Sequence, residues 1–242
     1  GTYTSQSEHK RLFRSAEKAL QAYEAACARL KIPAEAEKWE RVIFGSFHDA
    51  IPGSSIGKVY EELNPQLAEL SCELHGQTCE LLEGEGPAGY FNPCAYPLHR
   101  VLQDPAGHWV EIDLPVLASA EAPSALADAP SSVLWQDRQL KNSQTSVRFD
   151  AGGELCELRF GGNKIALGGP PRFWIHPDHP PQHDAWEVEL HDLAHGRAVE
   201  FGPLEQKLEH PLRIELTQDL IDRGRKFGRV IWALNKDTPA LE

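Results

Sequence analysis

Methionine is absent from this sequence of 242 residues. The chain also begins with GTYTSQ, which leads directly into a helical pattern without an introductory segment. We therefore expect the chain to be part of a longer polypeptide.

Long hydrophobic runs and an excess of basic residues are also lacking. No apolar run approaches the roughly 20 residues that a membrane span needs, and the start lacks the pattern of a signal peptide. The 24 basic residues face 36 acidic ones, which gives a net charge of -12. Phosphate backbones and anionic membranes both attract clustered lysine and arginine, so the composition argues against nucleic acid and membrane partners.

Paired cysteines and glycosylation acceptors are missing as well. The five cysteines form no CxxC pair, and their odd number does not suit a disulfide framework. No Asn-x-Ser/Thr acceptor is present. These features are typical of a reducing compartment and predict a cytoplasmic location.

What the sequence does contain, in its first third, is helical periodicity. Apolar residues recur at helical spacing in Ser7–Leu30, Ala34–Phe47 and Ser55–Leu82. Pro33 stands just before the second helix, and Pro65 interrupts the apolar stripe of the third. Short connections between three such helices predict an antiparallel bundle.

Beyond a Gly- and Pro-rich boundary at residues 83–87, the pattern changes to short strand-like runs. Asp150–Gly153 and Phe160–Lys164 each separate two such runs and predict hairpins. Helices first and strands afterwards indicate a segregated α+β chain. We predict a three-helix bundle over residues 1–86, followed by an incomplete antiparallel β-sandwich over residues 87–242.

His48 and Asp49 are the first candidate site. They end the apolar part of Trp39–Tyr60, and polar side chains placed there cost free energy unless a metal or a partner satisfies them. On a helix the two would diverge by about 100° and address different partners. The alternative is that they simply end one helix and begin a turn. A single histidine cannot hold zinc, so its companions would have to lie on another part of the polypeptide.

Ser55 is the second candidate. Gly53–Gly57 fits the G-x-S-x-G pattern of a serine hydrolase, in which Ser55 would be the nucleophile. The preceding residues do not form a strand that runs directly into the serine, and the alternation of strands and helices is missing. The alternative is that Ser54 or Ser55 caps the third helix.

A histidine-rich segment, His176–His195, is the third candidate. It combines imidazole and carboxylate groups, which suit zinc or a similar ion. Three prolines and the lack of a second cluster favour a solvated loop instead. The histidines and acids concerned are His176, His179, His183, His191, His195, Asp178, Asp184 and Asp192.

Several of these motifs together resemble one family. FHDAIPGSSIGKVY, residues 47–60, looks like the middle-domain signature of the glycoside hydrolase family thirty-eight α-mannosidases. GTYTSQSEHKRLFRSAE resembles the entry to the helical domain of that family, and YFNPCAYPLHR resembles the Asn-Pro opening of its β region. Residues 178–186 are similar to its D-x-P-x-x-x-D-A-W motif, in which we expect Asp184 and Trp186 to be structural.

The resemblance implies a zinc-dependent, retaining enzyme that hydrolyses terminal α-mannosides. It implies that His48 is one zinc ligand and that Asp49 hydrogen-bonds sugar hydroxyls. The other zinc ligands, the nucleophile and the acid/base carboxylate are expected on an N-terminal catalytic domain of the same polypeptide, so that this chain holds no catalytic residue and is inactive alone. Phe47 stands where some members have a second histidine, which suggests a different branch or substrate preference.

Two other classes of function stay open at this point. The chain could be a non-catalytic carbohydrate-binding or assembly module, or a serine hydrolase that uses Ser55. The linkage specificity and the formation of homo-oligomers are also left open by the sequence.

Overall fold

A computed structural model describes residues 5–83, 89–121, 132–182 and 189–242. The chain divides into two compact units, each built from several segments. One unit comprises residues 1–98, 114–121 and 177–194, and the other comprises residues 99–113, 122–176 and 195–242. The predicted division near residue 86 stays a prediction, and residues 84–88 lie outside the described part.

Three helices form the first part of the chain: α1, Ser7–Leu30, α2, Ala36–Gly45, and α3, Gly57–Leu82. Their apolar stripes meet in one core, because residues at helical spacing share a face of each helix. The buried members are Ala16, Leu20, Tyr23, Cys27, Val42, Leu67, Leu70 and Leu74. The predicted bundle is therefore confirmed.

The helix ends follow local backbone rules. Lys31 adopts φ 57°, and its N–H donates to Ala28 O, which closes α1 in a left-handed cap. α2 is shorter than the predicted Ala34–Phe47, because residues 46–56 form turns instead. α3 continues through Pro65 to its predicted end.

Fifteen strands are described in the rest of the chain. The first pairs are β1, Gly89–Phe91, with β4, Ser119–Glu121, and β2, Leu98–Gln103, with β3, Trp109–Leu114. A five-stranded antiparallel sheet contains β5, Leu134–Gln136, β6, Gln139–Lys141, β7, Thr145–Phe149, β8, Leu155–Phe160, and β9, Asn163–Ile165.

The remaining strands form one short pair and one long sheet. β10, Trp174–Ile175, pairs with β11, Arg197–Ala198. β14, Arg213–Asp222, lies between β13, Glu205–His210, and β15, Arg225–Asn235, and it also pairs with β12, Glu200–Phe201. A short helix, α4, Leu190–Ala194, precedes β11.

The five-stranded sheet and the β13–β15 sheet share one buried core. Its members are Val133, Leu140, Val147, Phe149, Leu155, Ile214, Leu216 and Leu234. Gln218, 1 % exposed, joins the layers, since its Nε2 donates to Gly153 O at 2.9 Å and to Gly202 O at 3.1 Å. Trp232 Nε1 donates to Gln218 Oε1 at 2.8 Å and satisfies the other end of the amide.

The segregated α+β class is confirmed, since the helical part precedes antiparallel sheets. The two predicted hairpins are also confirmed, because β7 pairs with β8 and β8 with β9 on either side of the predicted turns. Within the described residues, no helix is long and apolar enough to cross a membrane.

Candidate functional site

The candidate site is the turn of residues 46–56, which joins α2 to α3. Its backbone closes on itself, since Ala50 N–H and Ile51 N–H both donate to Phe47 O, at 2.8 and 3.0 Å. Gly53 N–H donates to Ala50 O at 3.1 Å. The tight turn therefore presents His48 and Asp49 on a fixed loop and not on a helix.

His48 and Asp49 are both open to solvent, with side chains that are 76 % and 55 % exposed. His48 Nε2 lies 3.3 Å from Asp49 Oδ2, and the His48 ring packs on Phe47 with centroids 4.3 Å apart. The expectation that the two side chains diverge is wrong, because helical geometry does not apply in this turn. The imidazole and the carboxylate instead form one joint polar group.

Tyr60 holds the inner side of this turn. Its hydroxyl, on a side chain that is buried in α3, donates to Ala50 O at 3.1 Å. The hydroxyl oxygen of Tyr60 also accepts a hydrogen bond from Ser55 N–H at 3.2 Å. Ser55 Oγ donates to Asp49 O at 2.7 Å, so the backbone just after His48 is fixed from two sides.

The helix start of α1 supports the turn from the opposite side. Lys10 Nζ donates to Ser5 O and, at 3.3 Å, to Pro52 O. Burial lowers the pKa of Lys10. Gly53 adopts φ +95° and approaches Ser5 so closely that an added Cβ would lie 2.6 Å from Ser5 Cβ.

His9 is fully buried in α1 and reaches both neighbouring helices. Its Nε2 lies 2.9 Å from Gly45 O at the end of α2, and its Nδ1 lies 2.8 Å from Asn64 Oδ1 in α3. Its ring makes an edge contact with the Tyr60 ring, with centroids 5.3 Å apart. His9, Lys10 and Tyr60 therefore each hydrogen-bond to a backbone carbonyl in the turn or at its start.

The sequence analysis did not identify His9, Lys10 or Tyr60 as residues that support the turn. One signal could have found His9: it occupies the same helical stripe as Ala16 and Leu20, one of the positions that face the core. A histidine on such a stripe needs hydrogen-bond partners, which the sequence alone does not identify.

The structure supports neither the helix-cap role nor the nucleophile role considered for Ser54 and Ser55. The capping prediction is wrong: Ile56 occupies the N-cap of α3, which has no side-chain cap, and both serine hydroxyls donate to Asp49 O instead. A helix and a turn, not a strand, precede Ser55. The strand-to-helix geometry of a nucleophile elbow is therefore absent from this described segment.

Several large apolar residues close to His48 in the sequence are exposed. Ile43, Phe44, Phe47 and Ile56 are 59 %, 65 %, 53 % and 72 % exposed. We call these four residues the apolar rim. Beside it, a groove of about 330 Å³ lies between α2 and α3, with Leu63, Leu67 and Leu70 among its lining residues.

The histidine-rich segment is only partly described, since residues 183–188, including the predicted DAW motif, lie outside the described part. Asp192 Oδ2 accepts from His179 N–H at 2.8 Å, and Asp192 Oδ1 lies 3.3 Å from His179 Nδ1. These contacts, the backbone N–H above all, hold the pKa of Asp192 below its usual range. In the described chain this carboxylate orders the segment around α4.

A metal would need more donors than this turn offers. Across the described ranges, no group of three or more His, Cys, Asp or Glu side chains is arranged to hold a metal ion. His48 and Asp49 supply one imidazole and one carboxylate, which are both donors that zinc accepts. The pair fits a zinc site only as part of a larger ligand set.

Comparisons with known proteins agree with the middle-domain motif. The family model described as "Alpha mannosidase middle domain" matches residues 1–82, which contain the bundle and the His48 turn. A curated relative, the "Alpha-mannosidase" of Saccharomyces cerevisiae (strain ATCC 204508 / S288c), is 27 % identical over 215 residues. The match covers 80 % of this chain and 19 % of the relative, so the chain spans about a fifth of that protein's length. The resemblance to the α-mannosidases and their middle domain, predicted from the sequence, is thereby confirmed.

Proposed function

We propose that this chain is part of a zinc-dependent, retaining α-mannosidase that hydrolyses terminal α-mannosides. The match to the middle domain and to the yeast α-mannosidase supports the class of enzyme. In this proposal the nucleophile and the acid/base carboxylate belong to a catalytic domain of the same polypeptide. Five free cysteines support a reducing, cytoplasmic location.

The observation that carries the proposal is the exposed His48–Asp49 pair. A histidine and a carboxylate 3.3 Å apart lie at the tip of a turn whose backbone is fixed by Tyr60 and Ser55. A side chain that merely ends a helix would not need this support. Rigid presentation of an exposed imidazole is what a ligand for a metal on a neighbouring domain requires.

In the proposed enzyme, a ring nitrogen of His48 would bind zinc, and the catalytic domain would supply the other ligands. Zinc would act as a Lewis acid that binds sugar hydroxyls and orients the ring. Asp49 accepts hydrogen bonds from the sugar hydroxyls and, at 3.3 Å from His48 Nε2, also orients the imidazole. Neither residue forms a bond to the sugar, so this chain binds and orients the substrate without carrying out the displacement.

The apolar rim supports docking of the catalytic domain around this pair. Four large apolar side chains, each more than half exposed, lie within eight residues of His48 in the sequence, and the Phe47 ring packs on the His48 ring. Contact with a second domain would remove their apolar surface from water, which is favourable at roughly 25 cal/mol per Å². It would also exclude water from the zinc site, where charge interactions strengthen as the dielectric falls.

The test is metal analysis of the full-length protein with His48→Ala. We expect zinc to be lost on dialysis and kcat/KM on an aryl α-mannoside to fall by at least about a hundredfold, since even outer-shell partners of a metal contribute ten- to a hundredfold. His75→Ala is the control, because His75 is another exposed histidine, on α3, and its side chain contacts Cys79. Full zinc occupancy in His48→Ala would refute the assignment.

A further inference from the structure

We infer that His9 is a positioning residue for the His48 turn, and this inference rests on the proposed function. His9 is distant from His48 in sequence and has no access to solvent. Its role would be to hold both ends of the turn, so that the His48 imidazole keeps one position relative to the metal.

Both ring nitrogens of His9 take part in hydrogen bonds. Gly45 O can only accept, so Nε2–H of His9 donates to it at 2.9 Å. Nδ1 lies 2.8 Å from the Asn64 side-chain amide. A neutral ring accepts there from the Asn64 NH₂ group, whereas a charged ring donates to the Asn64 oxygen. Either form binds both helices at once.

These contacts join the two helices that flank the turn. Gly45 is the last residue of α2, immediately before the turn, and Asn64 is the eighth residue of α3, which begins just after the turn. Between them the His9 ring packs edge-on against Tyr60, whose hydroxyl donates to Ala50 O. A displacement of His9 would therefore reach the backbone on both sides of His48.

Packing alone does not account for this arrangement. A leucine at position 9 would fill most of the same space, but Gly45 O would lose its partner in a buried site and Asn64 would lose its partner in a partly buried one. Buried polar groups without partners are strongly disfavoured, so α2 and α3 would shift or open to admit water. Such a change would occur at the turn and not in the distant core of the bundle.

The experiment compares full-length variants by two measurements: zinc affinity from competition with a chelator, and hydrogen exchange of the Ala50 and Ile51 amides. We expect His9→Leu to weaken zinc binding and to speed exchange, each by at least about tenfold. His9→Gln should recover part of both, because its amide can still donate to Gly45 O. Leu74→Ala is the control, since Leu74 is fully buried in the same bundle and lies about 15 Å along α3 from Asn64.

The outcomes separate the two proposals. Equal effects of His9→Leu and Leu74→Ala on zinc affinity and exchange would overturn the positioning role. If His9→Leu does not fold, Asn64→Ala decides, because it removes the partner of His9 Nδ1. Tenfold faster exchange and weaker zinc binding in Asn64→Ala support the role, and unchanged values overturn it. Zinc retained in His48→Ala would refute the proposed function alone, while the exchange data would still test His9.

Discussion

His48 and Asp49 combine two properties that single surface residues rarely share. Their side chains are exposed, yet the backbone that carries them is held by hydrogen bonds, since the buried Tyr60 and the partly buried Ser55 bind the carbonyls of Ala50 and Asp49. A fixed backbone avoids the entropy that a mobile loop would lose when it binds a ligand. This arrangement favours binding without rearrangement.

The roles of the two residues can be separated by Asp49→Asn in the full-length protein. We expect zinc to stay bound, because the side-chain oxygen of asparagine can still accept a hydrogen bond from the His48 ring. kcat/KM should fall by about ten- to a hundredfold, because a charged hydrogen bond to a sugar hydroxyl contributes roughly 1.5–3 kcal/mol. The measurement is steady-state kinetics together with metal analysis. Ser54→Ala, which removes only a long 3.4 Å bond to Asp49 O, serves as the control. A kcat/KM of Asp49→Asn equal to that of Ser54→Ala would contradict the role.

At the scale of residues, the sequence indicated His48 and Asp49 as a candidate site, because a polar pair ends an apolar run within a recognisable motif. Their mutual orientation was not predictable, because it depends on a turn whose shape is set by His9, Lys10 and Tyr60. These three lie on other elements, and their contacts with the turn arise only after α1, α2 and α3 pack together.

At the scale of elements, the turn of residues 46–56 depends on close contact with the start of α1. Gly53 has a positive φ and abuts Ser5, whereas Lys10 binds the carbonyls of Ser5 and Pro52. The turn therefore cannot move independently of α1.

Two glycine substitutions test this dependence, because we expect them to change the free energy of unfolding in opposite directions. Gly53→Ala should lower the free energy of unfolding by about 1–3 kcal/mol, because alanine is strained at φ +95° and its Cβ would meet Ser5. Gly76→Ala should raise it by about 0.5–1 kcal/mol, since Gly76 is helical and an added Cβ would have no neighbour within 4 Å. Urea unfolding measures both. A Gly53→Ala variant as stable as the parent would show that the turn is not constrained in this way.

Long elements were predictable from the sequence, whereas short ones were not. α1 matches its predicted limits, because its apolar stripe persists over many turns. β10, β11 and β12 have two residues each, which is too short for an alternating pattern to appear. α4 was also not predicted. It has only five residues, which is too short for helical periodicity to appear, and it falls in a segment rich in histidine.

At the scale of the whole molecule, the proposal assigns binding and bond cleavage to different domains. It assigns a metal ligand and a substrate-binding carboxylate to the described residues, and the displacement to a catalytic domain elsewhere in the polypeptide. The chain corresponds to 19 % of the length of its yeast relative, which leaves ample sequence for that domain in a protein of similar size.

This division predicts that the 242-residue chain alone does not hydrolyse an aryl α-mannoside above the buffer rate. The reason is that His48 cannot hold zinc by itself and the nucleophile is assigned to the other domain. The full-length protein, assayed under the same conditions, is the positive control. Turnover by the isolated chain that is lost in its His48→Ala variant would show that the chemistry resides here instead.

The most direct test of the central claim is a crystal structure of the full-length protein with diffraction data recorded at the zinc absorption edge. The account predicts an anomalous peak about 2.0–2.1 Å from a ring nitrogen of His48. A zinc peak with a complete ligand set from the catalytic domain, and with His48 more than about 4 Å away, would contradict it.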